Sequence, residues 1–128
     1  MLFRSPTRDF SFVEDTVSGF ISALKSEKGV GETVNLGSNF EVSIEDTAKL
    51  IGEIMGVPVE ISTDEERLRP DNSEVARLWA DNSKALEILG WKPSYTGLNG
   101  FREGLSKSID WFTQPENLKL YRSGDYNL

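Results

Sequence analysis

Arg8-Asp9-Phe10-Ser11-Phe12-Val13 is the stretch on which the fold turns. Polar and apolar residues alternate through it, as they do along a short half-buried strand. The period then changes at once. Val13, Val17, Phe20, Ile21 and Leu24 fall at helical spacing and predict a helix with one apolar stripe. Glu14 and Asp15 fall in its first turn, where the helix dipole favours an anion. Gly29 and Gly31 end it.

Working outward, Thr33-Val34-Asn35-Leu36 reads as a second short strand, stopped by Gly37. Ser43 is a natural N-cap with Asp46 three residues on, and Ile44, Ala48, Ile51 and Met55 give the stripe of a second helix. Gly56 and Pro58 close that helix. Val57 to Ile61 alternates again and predicts a third strand, and the charged run Asp64 to Pro70 reads as loop. A short helix is expected around Lys84 to Leu89, capped by Asp81 or Ser83 and stopped by Gly90. Trp91 to Tyr95 is an extended connector, because the residue before Pro93 avoids helical backbone angles. Leu98, Phe101, Leu105, Ile109 and Phe112 mark a last helix. The expectation is a small single α+β domain of four helices and short strands over residues 1–113, with a polar tail over 114–128.

The bulk numbers set limits. The 128 residues are enough for one domain with a core. A net charge of -7 argues against binding nucleic acid or an anionic membrane surface. With no cysteine there is no disulfide, so a reducing compartment, the cytoplasm, is expected. With no histidine as well, zinc and copper sites are improbable and no imidazole can act as a base. No apolar run approaches the roughly 20 residues of a membrane span.

Two chemical motifs are missing. A nicotinamide cofactor needs a glycine-rich turn between a buried strand and a helix. Gly97, Gly100 and Gly104 imitate its rhythm, but the run before them carries Lys92 and Pro93 rather than a buried strand. They read as glycines of helix start and packing. A tyrosine with a lysine four residues on, the pair that lowers a phenol pKa for base catalysis, is absent at Tyr95, Tyr121 and Tyr126. Arg8 and Arg69 could each offer a planar fork to a diphosphate or pair with a neighbouring acid. Asn35, beside Gly37, could offer an amide to a ligand or cap a turn. Asp64-Glu65-Glu66 reads as a solvated loop rather than a cation site, and Trp79, Trp91 and Trp111 as packing residues.

Taken together, Ser5 to Thr16, Glu32 to Ser38, Arg67 to Asp71, Trp79 to Ala85 and Leu89 to Pro93 resemble the C-terminal half of the extended short-chain dehydrogenase/reductase family, the nucleotide-sugar epimerases and dehydratases. The flavour most resembles the UDP-N-acetylglucosamine 4,6-dehydratases of the legionaminic-acid type. The resemblance implies the C-terminal lobe of an NAD(P)-binding Rossmann-type enzyme. It implies that Arg8 and Arg69 hold a diphosphate, that Asn35 lies near the same phosphates, that Phe10 stands beside the ribose, and that Asp71 accepts from a ribose hydroxyl. It also implies that NAD or NADP and the catalytic residues belong to a Rossmann domain N-terminal to this segment. The chain would then be a truncated piece or a short reading frame, not catalytic alone and with no cofactor site of its own. Its partners would be a nucleotide-diphosphate sugar and that missing domain, with self-association through the exposed inter-domain face around Phe10, Phe12 and Val13 to Val17. The alternative is a stand-alone, non-enzymatic domain that binds sugar nucleotides or a protein.

Overall fold

The computed structural model describes residues 6–62 and 75–119. β1 (Thr7–Asp9) pairs antiparallel with β2 (Glu41–Ser43), in the register Thr7 with Ser43, Arg8 with Val42 and Asp9 with Glu41. On the other edge of β1 the extended run at 76–78 lies parallel to it. The Thr7 amide donates to the Ala76 carbonyl at 3.0 Å, and the Leu78 amide to the Thr7 carbonyl at 3.1 Å.

Around this small sheet stand α1 (Val13–Lys25), α2 (Ile44–Met55), α3 (Ser83–Leu89), α4 (Gly97–Phe112) and α5 (Pro115–Leu118), with a 3-10 turn at Glu27–Gly29. α2 packs on α4, and α3 lies against the 3-10 turn and α1. The described core is Ala85, Trp91, Tyr95 and Phe101. It is extended by the stacking of Phe10 on Phe101, with ring centroids 5.8 Å apart, and by Phe40 on the same ring at 5.9 Å.

The first strand ends at Asp9, and Phe12 caps α1 in extended geometry, so the strand is shorter than its sequence alternation predicts. The capping of α2 is as read. Ser43 Oγ accepts from the Asp46 amide at 2.9 Å and donates to Asp46 Oδ2 at 2.7 Å, and Gly56 closes the helix in the left-handed region at φ 67°.

Three expectations are corrected. Thr33–Leu36 is not a strand, because no ladder partner for it is found among the described residues; the second strand is Glu41–Ser43. Val57–Ile61 forms no ladder either. It folds back on α2, where a Cβ at Gly52 would stand 2.3 Å from the Val59 side chain. The tail is not all irregular. Pro115 starts a fifth helix, since proline at the first helical position loses no hydrogen bond and brings a suitable φ. The α1 stripe, expected to be exposed at Val13 to Val17, faces outward along its whole length: Val13, Val17, Phe20, Ile21 and Leu24 are 46–88% exposed, while Asp15 and Gly19 are the buried positions of that helix. α1 therefore presents its apolar face away from the described core.

Candidate functional site

The site builds up from β1. Alternation along a strand sends Arg8 to one face and Thr7 and Asp9 to the other. Arg8 Nη1 donates to its neighbour's carbonyl, Thr7 O, at 2.7 Å and to Val75 O at 2.8 Å. Two of the contacts open to its five N–H donors thus go to backbone on β1 and on the parallel run. On the opposite face Glu41 takes a fork from Arg77, with Nε 2.7 Å from Oε1 and Nη2 2.7 Å from Oε2, and also accepts from the Thr7 hydroxyl. These hydrogen bonds, that of Arg77 first, hold the Glu41 carboxyl below its usual range. Arg77 in turn lies over the Trp79 ring, 5.5 Å from its centroid.

Asp9 joins three segments. Its Oδ1 accepts from the Ser38 amide at 2.7 Å and from the Ser38 hydroxyl at 2.5 Å, and its Oδ2 accepts from the Ala80 amide at 3.2 Å. Asn82 grips the same turn from the other side. It accepts from the Gly37 amide at 2.9 Å and donates to the Gly37 carbonyl at 2.7 Å. Gly37 has to be glycine here, since a Cβ would meet Ala80 Cβ at 2.5 Å and Asp9 Oδ2 at 2.8 Å. The sequence reading passed over both Asp9 and Asn82. The available signal was a short acceptor side chain beside an arginine on a strand, and an Asn one step before a helix.

Phe10, 38% exposed, lines an apolar cavity of about 320 Å³ between the β1–α1 link, α2 and α4, together with Phe12, Ile51, Tyr95, Phe101 and Leu105. Asn35 is exposed and lines a different, polar groove of about 530 Å³ with Lys28, Asp81, Ser83 and Lys84. There Lys84 meets Glu32 at 2.7 Å and lowers its pKa. Neither cavity has Arg8 in its lining. Arg69 and Asp71, with the acidic run Asp64-Glu65-Glu66, lie outside the described residues, and so does the expected approach of Arg69 to Arg8.

A tyrosine–lysine contact does exist, made by the fold rather than by spacing. Lys107 donates to the Tyr95 hydroxyl, and that hydroxyl donates to Glu14 Oε2 at 2.5 Å. The Glu14 bond outweighs Lys107 and raises the phenol pKa. A base needs the opposite shift, so the trio holds a proton rather than releasing one. Tyr95 is also pinned through its backbone: buried Asp15 accepts from the Ser94 amide at 2.7 Å and the Tyr95 amide at 2.9 Å.

The glycines of α4 do not fit a dinucleotide. Gly97 opens the helix at φ 66°, Gly100 has the Tyr95 carbonyl carbon 2.5 Å from where its Cβ would be, and Gly104 abuts the Phe12 ring at 3.3 Å. All three are spent on turn and packing. Among the described residues there is also no trio of acidic side chains able to hold a metal ion, and no helix long and apolar enough to cross a membrane.

Solved structures similar to this fold, with its β1–α1 entry and the turn gripped by Asp9 and Asn82, are Rossmann-type sugar-nucleotide epimerases and dehydratases. The chain belongs to the family described as GDP-mannose 4,6 dehydratase, whose model matches residues 4–104. A UDP-glucose 4-epimerase of Mycolicibacterium smegmatis is 32% identical over 109 residues, covering 84% of this chain and 32% of that protein. The structure is similar to an epimerase of Methanothermobacter thermautotrophicus, with a TM-score of 0.77, 35% identity, and 91% of this chain and 32% of that one covered. It is also similar to a UDP-glucuronic acid 4-epimerase of Bacillus cereus solved with NAD, with a TM-score of 0.69, 26% identity, and 94% and 33% covered. The chain thus spans about a third of the length of these relatives.

Proposed function

We propose that this chain is the substrate-binding lobe of an NAD(P)-dependent nucleotide-sugar epimerase or 4,6-dehydratase, and that it is not catalytic alone. Within that class we take the legionaminic-type UDP-N-acetylglucosamine dehydratases as the finer reading. The observation that carries the lobe reading is the outward apolar face of α1. Five side chains at helical spacing, 46–88% exposed, form a face of the kind an inter-domain contact covers. The run 33–36, alternating like a strand yet without a ladder partner among the described residues, is a second such unsatisfied feature. The lobe holds the diphosphate through Arg8, with Arg69 as second fork, Asn35 near the phosphates, Phe10 beside the ribose, and Asp71 on a ribose hydroxyl. Hydride and proton transfer fall to the cofactor domain, which packs against α1. The protein works in the cytoplasm.

The test is to titrate the chain with UDP-, GDP-, CDP- and dTDP-sugars and follow backbone amide shifts. Weak binding is expected, because only one wall of the cleft is present. Shifts should centre on β1 and the turn at Gly37 and Ser38. Arg8→Ala should weaken binding more than Arg8→Lys, which keeps the charge but loses the fork. If no sugar nucleotide perturbs these amides at millimolar concentration, the reading is wrong.

A further inference from the structure

We infer that Asp9 is a positioning residue for the diphosphate site, acting through Ser38 and Ala80 rather than touching ligand; this rests on the nucleotide-binding reading of Arg8. The geometry is specific. One carboxylate takes three donors from two segments that lie 29 and 71 residues away in sequence. Ser38 is 2% exposed, so its two bonds to Asp9 are the more sheltered from water, where a charge-assisted bond is strongest. The first segment is the turn that follows Asn35. The second is the parallel run whose Val75 carbonyl holds Arg8 Nη1 at 2.8 Å. Asp9 therefore holds, from the back of β1, the run that anchors Arg8 and the turn that follows Asn35.

The two oxygens divide the work. Oδ1 orders the turn and Oδ2 orders the run at 80. Asn82 repeats the first of these duties with both atoms of its amide on Gly37, but nothing repeats the second among the described hydrogen bonds of Ala80. Thr7 still holds the run at Ala76 and Leu78, so loss of the Oδ2 acceptor should loosen its far end at Ala80 and widen the play of the Val75 carbonyl on Arg8, while the turn stays in place. Asp9→Asn makes this separation. Its amide oxygen can still accept from Ser38, while its NH2 faces the Ala80 N–H, donor against donor.

The experiment compares UDP with UMP as probes on the full chain, at a temperature where far-ultraviolet circular dichroism shows each variant folded. A fork held in place should prefer the diphosphate, and Arg8→Ala should remove that preference. Asp9→Asn is expected to cut the UDP-over-UMP ratio by roughly tenfold, the scale of one charge-assisted hydrogen bond. It should also speed hydrogen exchange at Ala80 more than at Ser38. A merely structural role would lower the melting temperature and leave the ratio alone. Ser38→Ala, which removes only the hydroxyl bond, should lower the ratio less. An unchanged ratio in Asp9→Asn overturns the positioning role, and if that variant does not fold, an unchanged ratio in the Ser38→Ala, Asn82→Ala double variant, which removes the hydroxyl bond and its backup on Gly37, does so. A wild-type chain that binds UDP no better than UMP sinks the nucleotide reading itself and this inference with it.

Discussion

Buried acceptors settle more of this structure than its charges do. Asp15 stands in the first turn of α1, where the sequence assigns it to the helix dipole. Its carboxylate instead spans to Ser94 and Tyr95, about 80 residues away, and is 2% exposed. No spacing rule announces that bond, because it depends on which connector the helix meets. Asp15→Ala leaves the buried Tyr95 amide without an acceptor and should cost about 2 kcal/mol in urea unfolding. An unchanged midpoint and slope would show that the contact carries no stability. The Tyr95 hydroxyl gives a second test. Its pKa is raised, chiefly by the hydrogen bond to Glu14, with Lys107 acting in the lowering direction. A group whose folded pKa is raised contributes stability that is present below its unfolded pKa and is lost as pH rises through the folded value. Absorbance at alkaline pH should therefore show Tyr95 ionising above the usual phenol range, and Glu14→Gln should bring it down. Ionisation near neutrality would instead revive a catalytic tyrosine–lysine pair. The sequence excluded that pair at four-residue spacing and was blind to Lys107, one helix away.

At the scale of elements, what was legible depended on whether the signal was local. The Ser43 cap with Asp46, the closing Gly56 and Gly90, and the packing role of Gly97, Gly100 and Gly104 are short-range facts, and the structure keeps them. Strands were less legible, since alternation states a willingness to pair and not a partner. Thr33–Leu36 and Val57–Ile61 alternate as well as the true strands do, yet form no ladder among the described residues. Helical spacing likewise located α1 but not what its stripe faces. Phe12, expected on the outer face with Phe10, Val13 and Val17, is half-buried with its ring 4.6 Å from Tyr95, while Phe10 is 38% exposed, so most of the exposed patch lies on the helix. If that patch is a contact face, charging it should leave the fold alone and change association. Phe20→Lys with Leu24→Glu, at positions 64% and 88% exposed, should each shift stability by no more than about 0.5 kcal/mol. Sedimentation at rising concentration should show the wild-type chain self-associating and the double variant monomeric. A wild-type chain that stays strictly monomeric would count against the patch as an adhesive surface.

On the scale of the whole molecule, the question is whether binding and chemistry can live on the same chain. Epimerisation at C4 and 4,6-dehydration both begin by oxidising the sugar C4, which requires a hydride acceptor beside that carbon and a base for its hydroxyl proton. Neither is found among the described residues. The α4 glycines are closed by Tyr95 and Phe12, and the tyrosine that meets a lysine is held protonated by Glu14. Under the proposed function binding makes smaller demands: a fork on β1, a rigid turn behind it and a run that anchors the fork, and the described residues include an arginine, a turn and a run so arranged. The expected outcome is therefore a clean separation of the two functions. The pure chain, incubated with NAD or NADP and a panel of UDP-, GDP- and dTDP-sugars, should give no 4-keto product and no epimer, even where amide shifts report nucleotide binding. Adding a separately purified cofactor domain of the same family should restore turnover only if it can cover α1, so the Phe20→Lys, Leu24→Glu chain should fail to complement while still binding nucleotide. Reproducible product from the pure chain would end the lobe reading. Complementation that ignores the charged α1 face would move the inter-domain contact elsewhere on the molecule.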